Sequence, residues 1–242
     1  MADFWATSNS ALSPYYALLT IRDIANVWVV GGTLEGERDR HKGKSGQGGM
    51  GLSILKGAKH ITVIGVTSNK MWGDGFYVKD AEDVRSVTAD FNRRQGLSVI
   101  HADGVLVLNS VVKNTRGASQ RRHRFGARPG IARDQEIKNV RIEGSKFINN
   151  AGGGIIVAGK QARISKLELT RNSFTNNRPF VVNSAPWVAS GICGNRQTSR
   201  QVAPSGGFNA YAEPVDIVTF QDDCGETSFI VYRQGKKKKK PN

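Results

Sequence analysis

Asp74, Arg93 and Arg94, with Trp72 beside them and Glu37, Arg38, Asp39 and His41 upstream, are the side chains of this sequence best suited to act together. An indole offers a flat apolar face to a sugar ring, a guanidinium pairs with a carboxylate through parallel hydrogen bonds, and a carboxyl group gives or takes a proton at a linkage. That combination suits an acidic sugar chain. Asn92 and Gln95 stand in the same stretch as further contacts. Hydrolysis of a glycosidic bond needs two carboxyl groups about 5–9.5 Å apart, and Asp74 with Glu37 or Asp39 is the pair on offer. Elimination needs a base near the acidic C–H of the sugar, a role open to Arg93 or Arg94, either of which alternatively clamps the carboxylate. Plainer readings stand beside these. Asp74 fits a turn aspartate bonding its own loop. The run from Glu35 to Lys44, with three carboxylates, one histidine and four cations, fits a solvated excursion.

What must position these residues is a repeat. From Ile61 to Gly117 the chain rewrites one plan: a glycine, an alternating strand, a polar turn, a second alternating strand and an Asn-containing corner. The second strands open at Ile61, Val84, Val105, Val140 and Leu167, in steps of 23, 21, 35 and 27 residues. A period in the low twenties built from short strands is the signature of a β-solenoid, whose coils bury their apolar faces by stacking. A β-sandwich is the alternative, but Asn-Gly hairpin turns are scarce and the strands are phased. Ser68, Phe91, Val112, Phe147 and Phe174, each seven residues past an opening, are expected to form one inward column. Asn69, Asn92, Asn114, Asn149 and Asn176 are expected to form a ladder of amides satisfying backbone groups at a corner. Residues at equal phase in successive coils lie about 4.8 Å apart. Trp72-Gly73-Asp74 and Asn92-Arg93-Arg94-Gln95 therefore belong side by side on one wall, with the Glu35–Lys44 loop leaving the neighbouring coil to fold over them.

Composition sets outer limits. The chain has 242 residues and a net charge of +15, of which Lys236 to Lys240 supply five. The body is basic even without that run, which points to a polyanion partner. No nucleic-acid recognition motif accompanies the charge, so an acidic polysaccharide is preferred over nucleic acid. Cys193 and Cys224 fit no metal or redox spacing, leaving one disulfide or two core thiols as readings. No apolar run is long enough for a membrane span, and the opening residues lack the basic and apolar regions of a signal peptide.

Four stretches carry a family resemblance: Gly31-Gly32-Thr33-Leu34-Glu35-Gly36-Glu37-Arg38, Gly49-Met50-Gly51-Leu52-Ser53-Ile54, Trp72-Gly73-Asp74-Gly75-Phe76-Tyr77 and Asn92-Arg93-Arg94-Gln95-Gly96-Leu97. They resemble the pectin-lyase-like superfamily, which includes polygalacturonases, pectate lyases, polysaccharide epimerases and phage tailspike depolymerases. The resemblance implies an all-β fold, a single-stranded right-handed parallel β-helix with coils of about 20–27 residues. It implies a polysaccharide lyase or glycoside hydrolase acting in a groove along the helix, or a carbohydrate-binding, adhesin or phage-tail-like relative without catalysis. Trp72-Gly73-Asp74-Gly75 sits where polygalacturonases carry Asn-Thr-Asp-Gly, so the resemblance makes Asp74 the catalytic candidate. Where those enzymes carry paired aspartates one coil later, this chain has Arg94-Gln95-Gly96, and it has neither their Gly-His-Gly nor their Arg-Ile-Lys motif. A lyase would bring Ca²⁺; otherwise no cofactor is expected. Monomer or homotrimer, and an extracellular or virion-associated setting, are the family's expectations.

The chain divides into an entry or cap segment (1–20), the β-helix (21–178), terminal irregular coils or a β cap (179–235) and a basic tail (236–242). The interval 118–135 interrupts the alternation, and between Arg116 and Arg133 stand six arginines. It reads as a basic loop gripping a polyanion, or as a compensated frameshift. Back-translated with G/C-rich codons and with single bases restored, another frame gives Pro-Glu-Ala-Gly-Ile-Asp-Leu-Glu-Pro-Asp, the form relatives carry at this coil.

Overall fold

The computed structural model describes residues 4–5, 16–42, 48–85, 88–115, 136–150, 153–158, 163–177, 180–183, 187–197, 216–221, 224 and 228–233. These residues form strands and turns and no helix. In chain order the first strands are β1 (Phe4–Trp5), β2 (Ala17–Arg22), β3 (Ala25–Val30), β4 (Thr33–Glu35), β5 (Met50–Leu55), β6 (Lys59–Ile64), β7 (Thr67–Asn69), β8 (Phe76–Arg85), β9 (Thr88–Asp90), β10 (Leu97–Leu108) and β11 (Val111–Lys113). There follow β12 (Glu136–Glu143), β13 (Lys146–Ile148), β14 (Ile155–Ala158), β15 (Arg163–Thr170), β16 (Ser173–Thr175), β17 (Phe180–Asn183), β18 (Trp187–Cys193), β19 (Arg196–Gln197), β20 (Asp216–Gln221) and β21 (Ser228–Arg233).

Two parallel sheets carry most of them. One orders its eight described strands β1-β4-β7-β9-β11-β13-β16-β19, and the other runs β18-β15-β12-β10-β8-β5-β2 with β3 and β6 alongside. Each pass of the chain lays a strand on the larger sheet, turns, and adds a three-residue strand such as β7, β9 or β11 to the smaller one. Parallel pairing of every such neighbour removes the sandwich alternative, whose sheets are antiparallel. Only β20 and β21 pair antiparallel among the described strands, in a third sheet with β14 and β17.

Register follows the openings read from the sequence: Ile61 lies opposite Val84, Val84 opposite Val105, and Val140 opposite Leu167. Side chains alternating inward from both sheets then meet in one core, with Ile61, Val63, Val105, Val107, Val140, Ile142, Leu167 and Leu169 all buried. The inward column on the small sheet is Leu34, Ser68, Ala89, Val112, Phe147 and Phe174. Ala89, not Phe91, fills the third position, because the interval from Val84 to Ala89 is two residues shorter than that from Ile61 to Ser68. Phe147 and Phe174 stack with ring centroids 5.1 Å apart. The cap expectation also changes at its C-terminal end: Ala17 to Leu19 are part of β2 and pair in register with Met50 to Leu52 of β5.

The corners explain the asparagines. Lys70, Phe91, Asn114, Asn149 and Asn176 occupy one phase and all have φ between 52° and 54°, a region that asparagine tolerates better than most residues. The single ladder expected from the sequence divides into separate columns. Asn114, Asn149 and Asn176 stack outside, amide to amide, with Asn176 donating to Asn149 at 2.9 Å and Asn114 donating to Asp90 at 2.9 Å. Backbone groups are satisfied by the residues one step on. Asn92 donates to Ser68 O and accepts from Met71 N, and Asn150 donates to Val112 O while accepting from Thr115 N. Asn69 belongs to neither, donating instead to Glu35 Oε2 at 2.8 Å. A further buried column at another corner joins Ser145, Asn172 and Asn195. Cys193 and Cys224 form a disulfide, which decides between the two readings of the pair.

Candidate functional site

The wall lies where the chain passes from the small sheet back to the large one. Gly75 N donates to Gln95 O and Phe76 N to Gly96 O, so residues 72–75 and 93–96 sit in adjacent layers at equal phase. The leading glycine is a packing requirement. A Cβ on Gly75 would lie 2.5 Å from Asn92 Nδ2 and 2.7 Å from Gly96 O. The Glu35–Lys44 loop does fold over this wall as far as it is described: Gly36 N donates to Asn69 O and Arg38 N to Lys70 O.

Asp74 is completely buried. Its Oδ2 accepts the Ser98 hydroxyl at 2.8 Å, its Oδ1 accepts Gln95 N–H at 3.3 Å, and Arg94 Nη1 stands 3.6 Å from Oδ1. Ser98 Oγ also lies within hydrogen-bond reach of Gln95 Oε1. The aspartate is therefore fastened to the next layer by two hydrogen-bond donors and one ion pair, which is more than a turn aspartate serving its own loop. Tyr77 flanks this cluster. Burial first, and then the charge of Asp74, push its hydroxyl up to about 12, with Arg94 opposing.

The second half of the site surrounds Trp72. His41 stacks on the indole with ring centroids 3.8 Å apart and planes at 23°, and Arg93 places its guanidinium carbon 3.8 Å from the indole centroid. Two groups that close cannot share a face, so both faces of Trp72 are occupied. Arg93 Nε donates to Trp72 O at 2.6 Å, locking the stack. Glu37 Oε1 holds His41 Nδ1 at 2.7 Å. Arg38 turns to the corner instead, bonding Phe91 O and lying over its ring at 4.9 Å. Burial first, and then Arg94, push the Arg93 guanidinium down to about 10, with Asp74 opposing and Arg38 adding to the effect. Arg93 thus stays charged near neutrality. A charged guanidinium fits a carboxylate clamp, and the lowered value brings it nearer to the base role also open to it.

The candidates therefore separate. Asp74, Arg94 and Gln95 form one hydrogen-bonded group, and Glu37, His41, Trp72 and Arg93 form the adjoining one. Asp39 is exposed and acts electrostatically on Lys70, away from both. Of the two carboxylates offered as partner to Asp74, Glu37 is the one inside the cluster. Two expectations need correction. Asn92 is fully buried and directs its amide to Ser68 O and Met71 N, so it is out of reach of a ligand on the wall in this arrangement. Trp72 presents no open face to a sugar in this arrangement.

Ser98, Tyr77 and Tyr16 were not apparent as site residues. Ser98 and Tyr77 follow Gln95 and Asp74 by three positions each and lie opposite each other in β10 and β8, a placement that the register of the strands decides. Tyr16 is raised by burial first and by Glu37 second, which places it beside the loop. Among the described residues no three His, Cys, Asp or Glu side chains come together as a cation site. The arginine-rich interval 118–135, read as basic loop or frameshift, lies outside the described residues. No family model, curated protein or solved structure matches this chain.

Proposed function

We propose that the two parallel sheets wind into a right-handed parallel β-helix of the pectin-lyase-like kind, and that the chain acts on an acidic polysaccharide lying along the wall of Asp74, Arg93 and Arg94. One observation carries this reading: Arg94 meets the buried Asp74 across adjacent layers of one wall, with Arg93 next to it over Trp72 and Glu37 in the adjoining cluster. Arginines in that setting pair with uronate carboxylates through their fixed forks. Asp74 and Glu37 are the carboxyl pair a hydrolase would use, and a lyase would use the arginines to neutralise the sugar carboxylate before proton abstraction.

A second reading, glycan binding without catalysis, is favoured by the burial of Asp74 and by its two hydrogen bonds and one ion pair, which hold the carboxylate away from solvent. The two are separated by incubating the protein with a panel of acidic and neutral polysaccharides and following both reducing ends and the absorbance of unsaturated uronates. New reducing ends without absorbance mean hydrolysis, and both signals together mean elimination. Neither signal, with persistent binding on a glycan array, means binding alone. Neither signal and no binding removes the polysaccharide reading.

A further inference from the structure

The Trp72 indole is an aromatic surface with both faces covered, yet the two covers are unequal. Arg93 belongs to the next layer of the wall and is tied by Nε to Trp72 O and by its backbone N–H to Met71 O, so it is built into the corner between β9 and β10. His41 belongs to the loop that crosses from above. That loop is anchored by backbone bonds at Gly36 and Arg38, and by the Arg38 side chain at Phe91. Beyond Arg38 the described loop contributes the internal turn of Arg40 N to Glu37 O, the exposed residues Asp39 and Arg40, and then His41. The Glu37 carboxylate and the indole hold the imidazole, whose side chain is only 4% exposed. A second observation comes from the indole edge. Trp72 Nε1 is buried and finds no acceptor among the described residues, and an unpaired buried donor is a standing cost. The closed arrangement thus covers an aromatic face while leaving the donor beside it unserved.

We propose that His41, latched by Glu37, is a gate over a saccharide-binding face of Trp72, and that a ligand binds by displacing the imidazole, stacking on the indole and accepting a hydrogen bond from Nε1. This rests on the reading of the wall as a glycan site. The ligand class is a pyranose unit carrying an oxygen acceptor at its edge, next to the Arg93 and Arg94 charges that receive a uronate. His41 and Glu37 are positioning residues here: they set how often the face is free.

The test uses the full chain with Trp5, Trp28 and Trp187 replaced by phenylalanine, so that Trp72 alone fluoresces. Acrylamide quenching is measured without saccharide, and oligogalacturonate is then titrated, with a neutral glucan oligomer for comparison. His41→Ala is expected to raise quenching and to tighten oligogalacturonate binding by about two- to twelvefold, the range set by loss of one aromatic stack. Glu37→Gln, which loosens the latch and leaves the ring in place, is expected to shift both readouts the same way by less. His41→Phe restores the cover without the latch, should return quenching to the starting level, and serves as the folding control. Trp72 that stays protected in His41→Ala overturns the gate whatever the glycan result. An opened Trp72 with unchanged oligogalacturonate affinity overturns the gate and leaves the glycan wall standing. An opened Trp72 with no saccharide bound by either protein overturns both.

Discussion

Ser98 donates its hydroxyl to Asp74 Oδ2 across 2.8 Å, although the two residues stand 24 positions apart. The contact joins two layers of the wall. It makes Asp74 a tie between successive passes of the chain as well as the carboxylate nearest to Arg94. Removing the donor and removing the acceptor should therefore differ. Ser98→Ala is expected to cost about 1–2 kcal/mol, the loss of one hydrogen bond to a charged group. Asp74→Ala is expected to cost about 3–5 kcal/mol, since it removes the buried half of an ion pair together with the acceptor of two hydrogen bonds. Urea denaturation followed by circular dichroism measures both. Equal and small effects would show that the tie between layers contributes nothing.

Asp74→Asn separates structure from chemistry. The amide keeps a carbonyl oxygen for one donor, so the fold should survive with a loss of about 1–3 kcal/mol. If Asp74 is the acid or base of a polysaccharide-cleaving reaction, the rate of reducing-end release falls at least about a hundredfold. Unchanged release takes Asp74 out of the mechanism.

The two kinds of asparagine column predict unequal sensitivities. Asn172 donates to Ile142 O while its own oxygen receives Ser145 N, all within the buried corner. Asn172→Ala leaves both groups unpaired and should destabilise by about 2–4 kcal/mol. Asn149→Ala, in the exposed outer stack, should cost less, about 1–2 kcal/mol, set by the left-handed backbone that alanine must adopt there. Thermal melts of the two variants, run side by side, make the comparison.

Tyr77 gives a pH signature. Its hydroxyl is pushed up to about 12 against an ordinary value of 10.0, so the folded state holds the proton longer than the unfolded chain. Stability from this group is complete below pH 10 and is lost as pH rises towards about 12. Arg93, pushed down to about 10, works in the opposite direction above that pH, so a melting curve would blend the two. Tyrosinate absorbance does not. The late-titrating absorbance, to which Tyr16 also contributes, should be smaller in Tyr77→Phe than in the parent protein. If Tyr77→Phe keeps that absorbance in full, the assignment to Tyr77 is wrong.

The Cys193–Cys224 bond closes a separation of 31 residues between β18 and the turn before β21. Protein produced under oxidising conditions should show no free thiol until reduced. Replacing both cysteines by serine should lower stability by about 2–4 kcal/mol. Two titratable thiols in the unreduced, unfolded protein would rule the bond out.

The sequence by itself determined the parallel, layered strands and their phase. Apolar residues alternating through Ile61-Thr62-Val63 or Val105-Leu106-Val107 can bury one face only against a neighbour with the same phase, so a regular step fixes which residue lies opposite which. It also placed Trp72, Asp74, Arg93 and Arg94 on one wall, because equal phase means adjacent layers. Three things waited for the tertiary structure. Ala89 replaced Phe91 in the core column because a corner was shorter by two residues, and corner length alters register without altering the alternating pattern on either side. Asn92 left the site because burial assigned its amide to the backbone, which identity and spacing alone do not show. Glu37, read as a catalytic carboxylate, and His41, read as a substrate contact, meet each other at 2.7 Å, with the imidazole stacked on Trp72. That pairing depends on where a loop comes down, and the polar pattern of a loop carries no phase to fix it.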